Sequence, residues 1–471
     1  MRIAFLQREW FENIGIMTLA AVLTKAGHQL EVFLGSAEQD IVKAVKKFHP
    51  RLTCFSCTTG EHVWALETAR RLKTQTKTLN VFGGHHPTFF PQIIREPAVD
   101  IVCRGEGEFA LRDLTQALER QQPIEHIPNL WVKLNDHIYE NNLRPLIEDL
   151  DSLPLPLRKI YDKYPALQKN DTKHFMASRG CPCNCSYCYA HAMRALYRGK
   201  GTFVRFRSPQ HIIREIRQAK REYRLKTVFL DDDILTFNKP WLYDFLNQYQ
   251  NTIDVPFICN VWAAGLDAET CRRLAAAGCF RVSMGVETGD EELRRRVLNK
   301  NISDQQIVEA AANLHRNGIK ILTNNMLGLP GETIGQALKT IALNTQIGTE
   351  YPWCSILQPY PGTAIEQKLM ETGTLDQTTE ASFSSTFFKA SPLRQGNIPQ
   401  LIRLQKFFFL AVKFPFLVPV IRLLIKLPLD PLYEIIFLVS FAHRYRVANR
   451  LSWAEMLKFS LKNLSLYRKN V

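Results

Sequence analysis

The chain has 471 residues, too many for one ordinary domain, and its 46% apolar and 22% charged residues suit packed globular domains and exclude global disorder. Lys and Arg outnumber Asp and Glu by 60 to 45, and the resulting net charge of +15 calls for an anionic ligand, partner or surface. No stretch of about 18 apolar residues runs free of charge, which excludes an ordinary membrane-spanning helix. Residues 1–15 lack the long apolar core of a signal peptide, so a cytoplasmic location is expected. In that reducing compartment eleven cysteines point to metal binding or catalysis rather than to disulfides.

The first 145 residues alternate short apolar runs with helical patterns. Strands are predicted over 2–6, 30–34, 52–56, 79–82 and 99–103, and helices over 16–26, 63–72 and 108–118. That rhythm predicts a doubly wound parallel sheet. Residues 124–145 read as a hairpin turning at Asn135-Asp136, and 146–170, with Leu-Pro-Leu-Pro at 153–156, as a linker. A second alternation follows, with strands over 174–178, 227–230, 257–262, 280–284, 319–326 and 353–358. Its helices carry legible ends: Ser208-Pro209 and Asp267 as starts, Ser303 with Gln306 as a capping box, Gly278 and Gly318 as stops. Six βα units over 171–375 predict a partial (β/α)6 TIM barrel.

Residues 376–471 are expected to form a helical tail, and 401–471 hold twelve basic and only three acidic residues. Lys406, Lys413, Arg422 and Lys426 lie between apolar blocks broken by Pro415, Pro419 and Pro428. Two readings stand side by side. One is a basic amphipathic segment at a membrane surface; the other is a helical cap on the barrel with solvated cations. The apolar content disfavours nucleic acid.

The strongest chemical signal is Cys181, Cys185 and Cys188, spaced C-x3-C-x2-C on the loop after the first strand of the second series. Three thiolates there can hold three irons of a [4Fe–4S] cluster and leave the fourth iron open. Zinc is the rival occupant, with Cys183 as fourth ligand, but the second C-x2-C knuckle of most structural zinc sites is missing.

The three-cysteine loop on a six-unit βα series resembles the radical S-adenosylmethionine (SAM) superfamily. Four further strings carry the likeness: Phe229-Leu-Asp-Asp232-Asp233, Met284-Gly-Val-Glu287-Thr-Gly289, Leu327-Gly328-Leu-Pro-Gly331-Glu332-Thr333 and Gln358-Pro-Tyr-Pro-Gly-Thr363. The resemblance implies reductive cleavage of SAM to a 5′-deoxyadenosyl radical. Tyr187 would lie beside the adenine, and Glu287 would contact the ribose or methionine part. Asp232 would belong to the acidic strand end, and Gly328 and Gly331 would let backbone approach the cofactor. Arg205 and Arg207 are candidates for a SAM or substrate carboxylate, or for surface ion pairs.

The N-terminal domain resembles the cobalamin (B12)-binding domain often fused to such barrels. Gly83-Gly84-His85-His86-Pro-Thr88 and Arg104-Gly105-Glu106-Gly107-Glu108 carry the likeness. It implies cobalamin contacts from Ser56, Thr58, Gly83, Gly84, His86 and Gly105. The Asp-x-His-x-x-Gly string that gives cobalt an axial histidine in other B12 domains is missing after the first strand. Binding is then expected without that histidine.

Together the two likenesses imply methyl transfer to an unactivated carbon of a small-molecule or lipid substrate. An external electron donor of the flavodoxin or ferredoxin type would feed the reaction. The alternatives are a B12-dependent cyclase or rearrangement enzyme, and a zinc-stabilised module at the membrane surface.

Overall fold

The computed structural model describes residues 1–375, 388, 391–448 and 453. The rest of the predicted tail lies outside them. The first sheet contains β1 (Arg2–Gln7), β2 (Gln29–Leu34), β3 (Leu52–Ser56), β4 (Leu79–Gly83), β5 (Ile101–Cys103), β6 (Leu130–Leu134) and β7 (His137–Glu140). Its order is β2-β1-β3-β4-β5-β6-β7, parallel through β5 and antiparallel at the β6–β7 hairpin. Alternate residues of β1 feed two cores: Ile3 and Phe5 pack on one face, Ala4 and Leu6 on the other. Asn135 and Asp136 both have positive φ, as the two central residues of a type I′ hairpin turn require. Sequence reading passed over the helix Ile41–Phe48, whose start is fixed by the Asp40 side chain accepting from Val42 and Lys43.

The second sheet contains β8 (Thr172–Phe175), β11 (Thr227–Leu230), β12 (Phe257–Val261), β13 (Cys279–Glu287), β14 (Lys320–Leu327) and β15 (Tyr351–Ile356). A short antiparallel pair, β9 (Ser178–Arg179) with β10 (Arg205–Phe206), stands beside it. The six strands run parallel in the order β15-β14-β13-β12-β11-β8, which is the expected partial barrel. The predicted capping box at Ser303 and Gln306 forms with both of its hydrogen bonds, and a second stands at Thr333 and Gln336.

Between the sheets, residues 146–170 are packed rather than a loose tether. Leu150 and Leu153 are buried against Val22. The Tyr161 hydroxyl donates to Gln7, and the Tyr164 hydroxyl donates to Glu38 while accepting from the Leu34 amide. The tail begins as a cap: the helix Ile398–Lys413 lies on β15 and buries Leu401, Leu404, Phe407, Phe408 and Ala411. Two cations expected to be solvated have partners, Lys406 buried and Lys413 exposed. Lys406 pairs with Glu434 at 2.9 Å, and Lys413 donates to the Thr349 carbonyl at 2.6 Å. No helix among the described residues is long and apolar enough to cross a membrane.

One carboxylate ties the two sheets together. Glu106, after β5, accepts from Arg179 at 2.9 Å, from Arg205 at 2.9 Å and from the Ile147 amide at 2.8 Å. Glu108 takes the other arm of Arg179. Arg205 and Arg207, candidates for a cofactor carboxylate, are therefore structural. Arg205 serves this clasp, and Arg207 bonds Glu215 and His211. Burial would raise the Glu106 carboxyl, but the Arg205 hydrogen bond and the charges of Arg179 and Arg205 hold it below the usual carboxylate range. Glu106→Ala should cost about 3–5 kcal/mol, because two guanidiniums lose their buried partner. Chemical denaturation at neutral pH measures this. The wild-type advantage over the variant should be full above about pH 4.3 and fade as pH falls through the depressed value.

Candidate active site

The loops at the carboxyl ends of the two sheets meet. Thr59, after β3, bonds Tyr189, after β9, at 3.3 Å between hydroxyls. Phe89, after β4, stacks on Tyr189 at 4.8 Å, and Tyr189 stacks on Tyr360, after β15, at 5.8 Å. Gly105, after β5, has φ +70°, and a Cβ there would overlap the Tyr197 hydroxyl, so the glycine is needed for this domain contact. The loops thus meet at the strand ends where open α/β sheets bind ligands.

The cysteine loop, residues 180–188, is pinned from both sides. Ser186 donates through its amide to the Leu298 carbonyl at 2.9 Å and through its hydroxyl to the Val297 carbonyl at 2.6 Å. Asn299 donates to the Asn184 carbonyl at 2.8 Å, and Ile365 to the Ser186 carbonyl at 3.0 Å. Gly180 has φ +91°, and a Cβ there would overlap the Phe203 carbonyl. Cys188 caps the helix Tyr189–Leu196, its sulfur accepting from the Ala190 amide at 3.5 Å.

The thiols lie close enough to perturb one another. A hydrogen bond from Cys183 and the nearby Lys300 ammonium bring Cys185 down to about 7 against the pull of burial. Burial pushes Cys188 up to about 11. Among the described residues no three His, Cys, Asp or Glu side chains converge on a single-ion site. A cubane's thiolates bind different irons and need not share one point, so the donor set fits a three-thiolate cluster better than a closed tetrahedral zinc site.

Glu287 ends β13 beside this loop. Its φ of +67° puts a non-glycine residue in the left-handed region, a strain of about 1–3 kcal/mol that only a constrained site retains. Lys300 pairs with it at 2.9 Å. A Cβ at Gly285 would overlap both charged groups, so the glycine makes room for the pair. Tyr187 is half-buried, and its hydroxyl lies close enough to Glu287 and the Cys185 thiol for burial and their negative charge to push it well above the usual phenol range. Gly328 and Gly331, both at positive φ, shape the loop after β14. There the buried Glu332 accepts from the amides of Gly328 at 2.7 Å and Leu329 at 3.1 Å, and burial pushes its carboxyl to about 8. Lys300 was missed as a site residue because it sits in no motif, and Glu332, though inside the Leu327–Thr333 string, was given no role there.

Two implied cofactor contacts are held by protein partners. Asp232 is 1% exposed and accepts from the Ser178 hydroxyl and the Ala177 amide, so it ties β11 to the start of the cysteine loop. Its neighbour Asp233 lies in the field of Cys181, Cys188 and His85. His86 is fully buried, stacked on His62 at 3.8 Å and bonded to Thr59 at 3.1 Å. Burial and then His62 lower it to about 3, so it stays neutral. Ser56 ends β3, and Thr58 bonds Glu61 at 2.7 Å. Gly84 is exposed at φ +102° and packs so tightly on the Cys57 backbone that a Cβ would collide.

A superfamily model, "Radical SAM superfamily", matches residues 176–343, and a "B12 binding domain" model matches residues 9–115. An uncharacterized methyltransferase of Pyrococcus horikoshii is 30% identical over 365 residues, covering 75% of this chain and 77% of its own. An anaerobic magnesium-protoporphyrin IX monomethyl ester cyclase of Cereibacter sphaeroides is 24% identical, covering 81% of this chain and 64% of its own. The solved structure of the cobalamin-dependent SAM radical enzyme OxsB, with aqua-cobalamin and SAM bound, superposes with a TM-score of 0.72 at 14% identity, over 99% of this chain and 75% of that one.

The chain belongs to the radical SAM superfamily and carries an N-terminal B12-binding domain. It is a cobalamin-dependent radical SAM enzyme whose cofactors are a [4Fe–4S] cluster, SAM and cobalamin.

Asp232 generates a pH test. Burial raises its carboxyl to about 6, above the unfolded value near 3.9. The folded state therefore binds that proton more tightly, and stability falls as pH rises from about 4 to about 6, by about 3 kcal/mol for this group. Asp232→Asn should remove this slope. Unfolding free energies of both proteins at about pH 4 and pH 7 give the comparison, and equal slopes would contradict the assignment.

Proposed function

We propose that the protein methylates an unactivated carbon of a small-molecule or lipid substrate held where the loops of the two sheets meet. The observation that carries this reading is the meeting of the cysteine loop with the loops after β3, β4 and β5, joined by Thr59, Phe89 and Tyr189. When bound, the cluster supplies the electron for reductive cleavage of SAM, and cobalamin supplies a transferable methyl group. Cys181, Cys185 and Cys188 would hold the cluster, leaving one iron for SAM. Glu287, freed from Lys300 or sharing it, would accept from the ribose hydroxyls or the ammonium of SAM. Tyr187 would pack beside the adenine, with the backbone of Gly328 and Gly331 opposite. Ser56, Thr58, Gly83 and Gly84 line the edge that would take cobalamin. Tyr189, Phe89 and Tyr360 form an aromatic wall that excludes water from a carbon radical.

The partners of this reading are an external one-electron donor and a small-molecule or lipid substrate. Peripheral membrane contact through the tail also belongs to it. Phe416, Leu423 and Leu427 are exposed beside Arg422 and Lys426, whereas the acids Asp430 and Glu434 are neutralised by pairing with Arg403 and Lys406.

A second reading, cyclisation, is favoured by the likeness to the Cereibacter cyclase. Product analysis separates the two. Methyl transfer yields methylated product with S-adenosylhomocysteine and 5′-deoxyadenosine; cyclisation yields deoxyadenosine without the homocysteine product. Anaerobically reconstituted Cys185→Ala should lose the iron–sulfur absorbance and deoxyadenosine formation, whereas Cys183→Ala should keep both. Persistent SAM cleavage by Cys185→Ala would remove the ligand assignment.

A further inference from the structure

The cysteine loop has an outer face as well as the one turned to Glu287. That outer face, at Asn184 and Ser186 on either side of Cys185, forms one wall of a cavity of about 640 Å³. The remaining walls come from the helix Tyr189–Leu196 and the turn after it, from residues 296–299, and from the start of the helix Ala364–Glu371. Arg194, Arg198, Arg296 and Lys368 line the cavity, and no acidic side chain does.

Two of these cations are not spent on internal pairing. Arg198 and Lys368 are exposed and make no ion pair among the described residues. Arg296 is also exposed and shares Glu292, at 3.5 Å, with Arg295. Arg194 spans the wall. Its guanidinium donates to the carbonyls of Cys181 and Cys183 and to the Asn184 side chain at 2.9 Å. A hydrogen-bonded path therefore runs from the cavity to the backbone of the cysteine ligands. The mouth is ringed by exposed Arg198, Gly199, Gly201, Asn299, Ala364 and Lys368, a wide opening that suits a convex protein surface better than an enclosed small anion.

We propose that this basic cavity is the docking surface of a small acidic electron-carrier protein of the ferredoxin class. It rests on the radical SAM reading, because only a cluster behind this wall needs an electron from outside. Each encounter moves one electron: the carrier's iron–sulfur centre is oxidised by one electron, the cluster behind Cys185 is reduced by one, and no bond or proton changes hands. A positive concave surface facing a negative carrier raises the encounter rate and makes it fall with salt.

The test uses full-length protein, a reduced acidic ferredoxin, and reduced methyl viologen as a cationic reductant that gains nothing from a basic surface. The triple variant Arg198→Glu, Arg296→Glu, Lys368→Glu should be reduced by ferredoxin at least about tenfold more slowly. It should cleave SAM with reduced methyl viologen at a rate within about twofold of wild type. Calorimetric binding of oxidised ferredoxin, which needs no turnover, should weaken between about 50 and about 300 mM salt for wild type and be weak at both for the variant. The triple Gln variant should fall between them, which guards against misfolding of the reversed one. Ferredoxin binding and reduction unaffected by charge reversal would overturn the proposal. So would an equal loss with viologen, which would assign the cavity to a small anionic ligand or to structure. Wild-type protein that cleaves no SAM with viologen would instead overturn the cofactor reading underneath.

Discussion

The architecture depends on one buried carboxylate and the two guanidiniums that clasp it. Glu106 leaves the first sheet just beyond β5 and meets Arg179 and Arg205, which flank the cysteine loop on the paired strands β9 and β10. The Ile147 amide joins the same carboxylate. The clasp therefore gathers both sheets and the segment between them at one point. Removing the Glu106 carboxylate leaves Arg205 buried without an acid, while Arg179 keeps only Glu108. The clasp also sets the separation between the cysteine loop and the loops after β3, β4 and β5, which the contacts of Tyr189 join.

Around that fixed point the site is built by backbone hydrogen bonds more than by side-chain burial. The loop of residues 180–188 is held by segments that follow β13 and β15, so two distant barrel strands decide where the thiols sit. The same economy appears after β14, where one buried glutamate organises a glycine turn. Such scaffolding suits a reactive intermediate, because a site that does not have to reorganise admits less water.

Much of this was legible in the sequence, and the rest was illegible for physical reasons. Alternating apolar runs gave both sheets, because parallel strands buried on two faces need continuous Val, Ile, Leu and Phe. Capping residues such as Ser303 and Asp267 gave helix starts, because their signal is local. The cysteine spacing was legible for the same reason. The helix Ile41–Phe48 escaped because its buried residues are only Ile41, Val42 and Val45. The buried partners of Asp232 and His86 were illegible because an acid or a histidine in a motif looks the same whether it faces a ligand or a neighbouring strand. Arg205 is the counterpart: its role depends on Glu106, 99 residues away, and no local pattern reports such a pair. The tail reading split, since Lys406 turned inward while Phe416 and Leu423 did not.

The Glu287–Lys300 pair has a consequence for ligand exchange. The carboxylate is engaged by an ammonium before any cationic ligand arrives, and Gly285 leaves space for both. Under the role proposed for Glu287, arrival of a second cation would trade one positive partner for another, with Lys300 released toward solvent or toward the ligand's own carboxylate. The acid would then be compensated in low dielectric both before and after loading, and the two states would differ little in electrostatic cost.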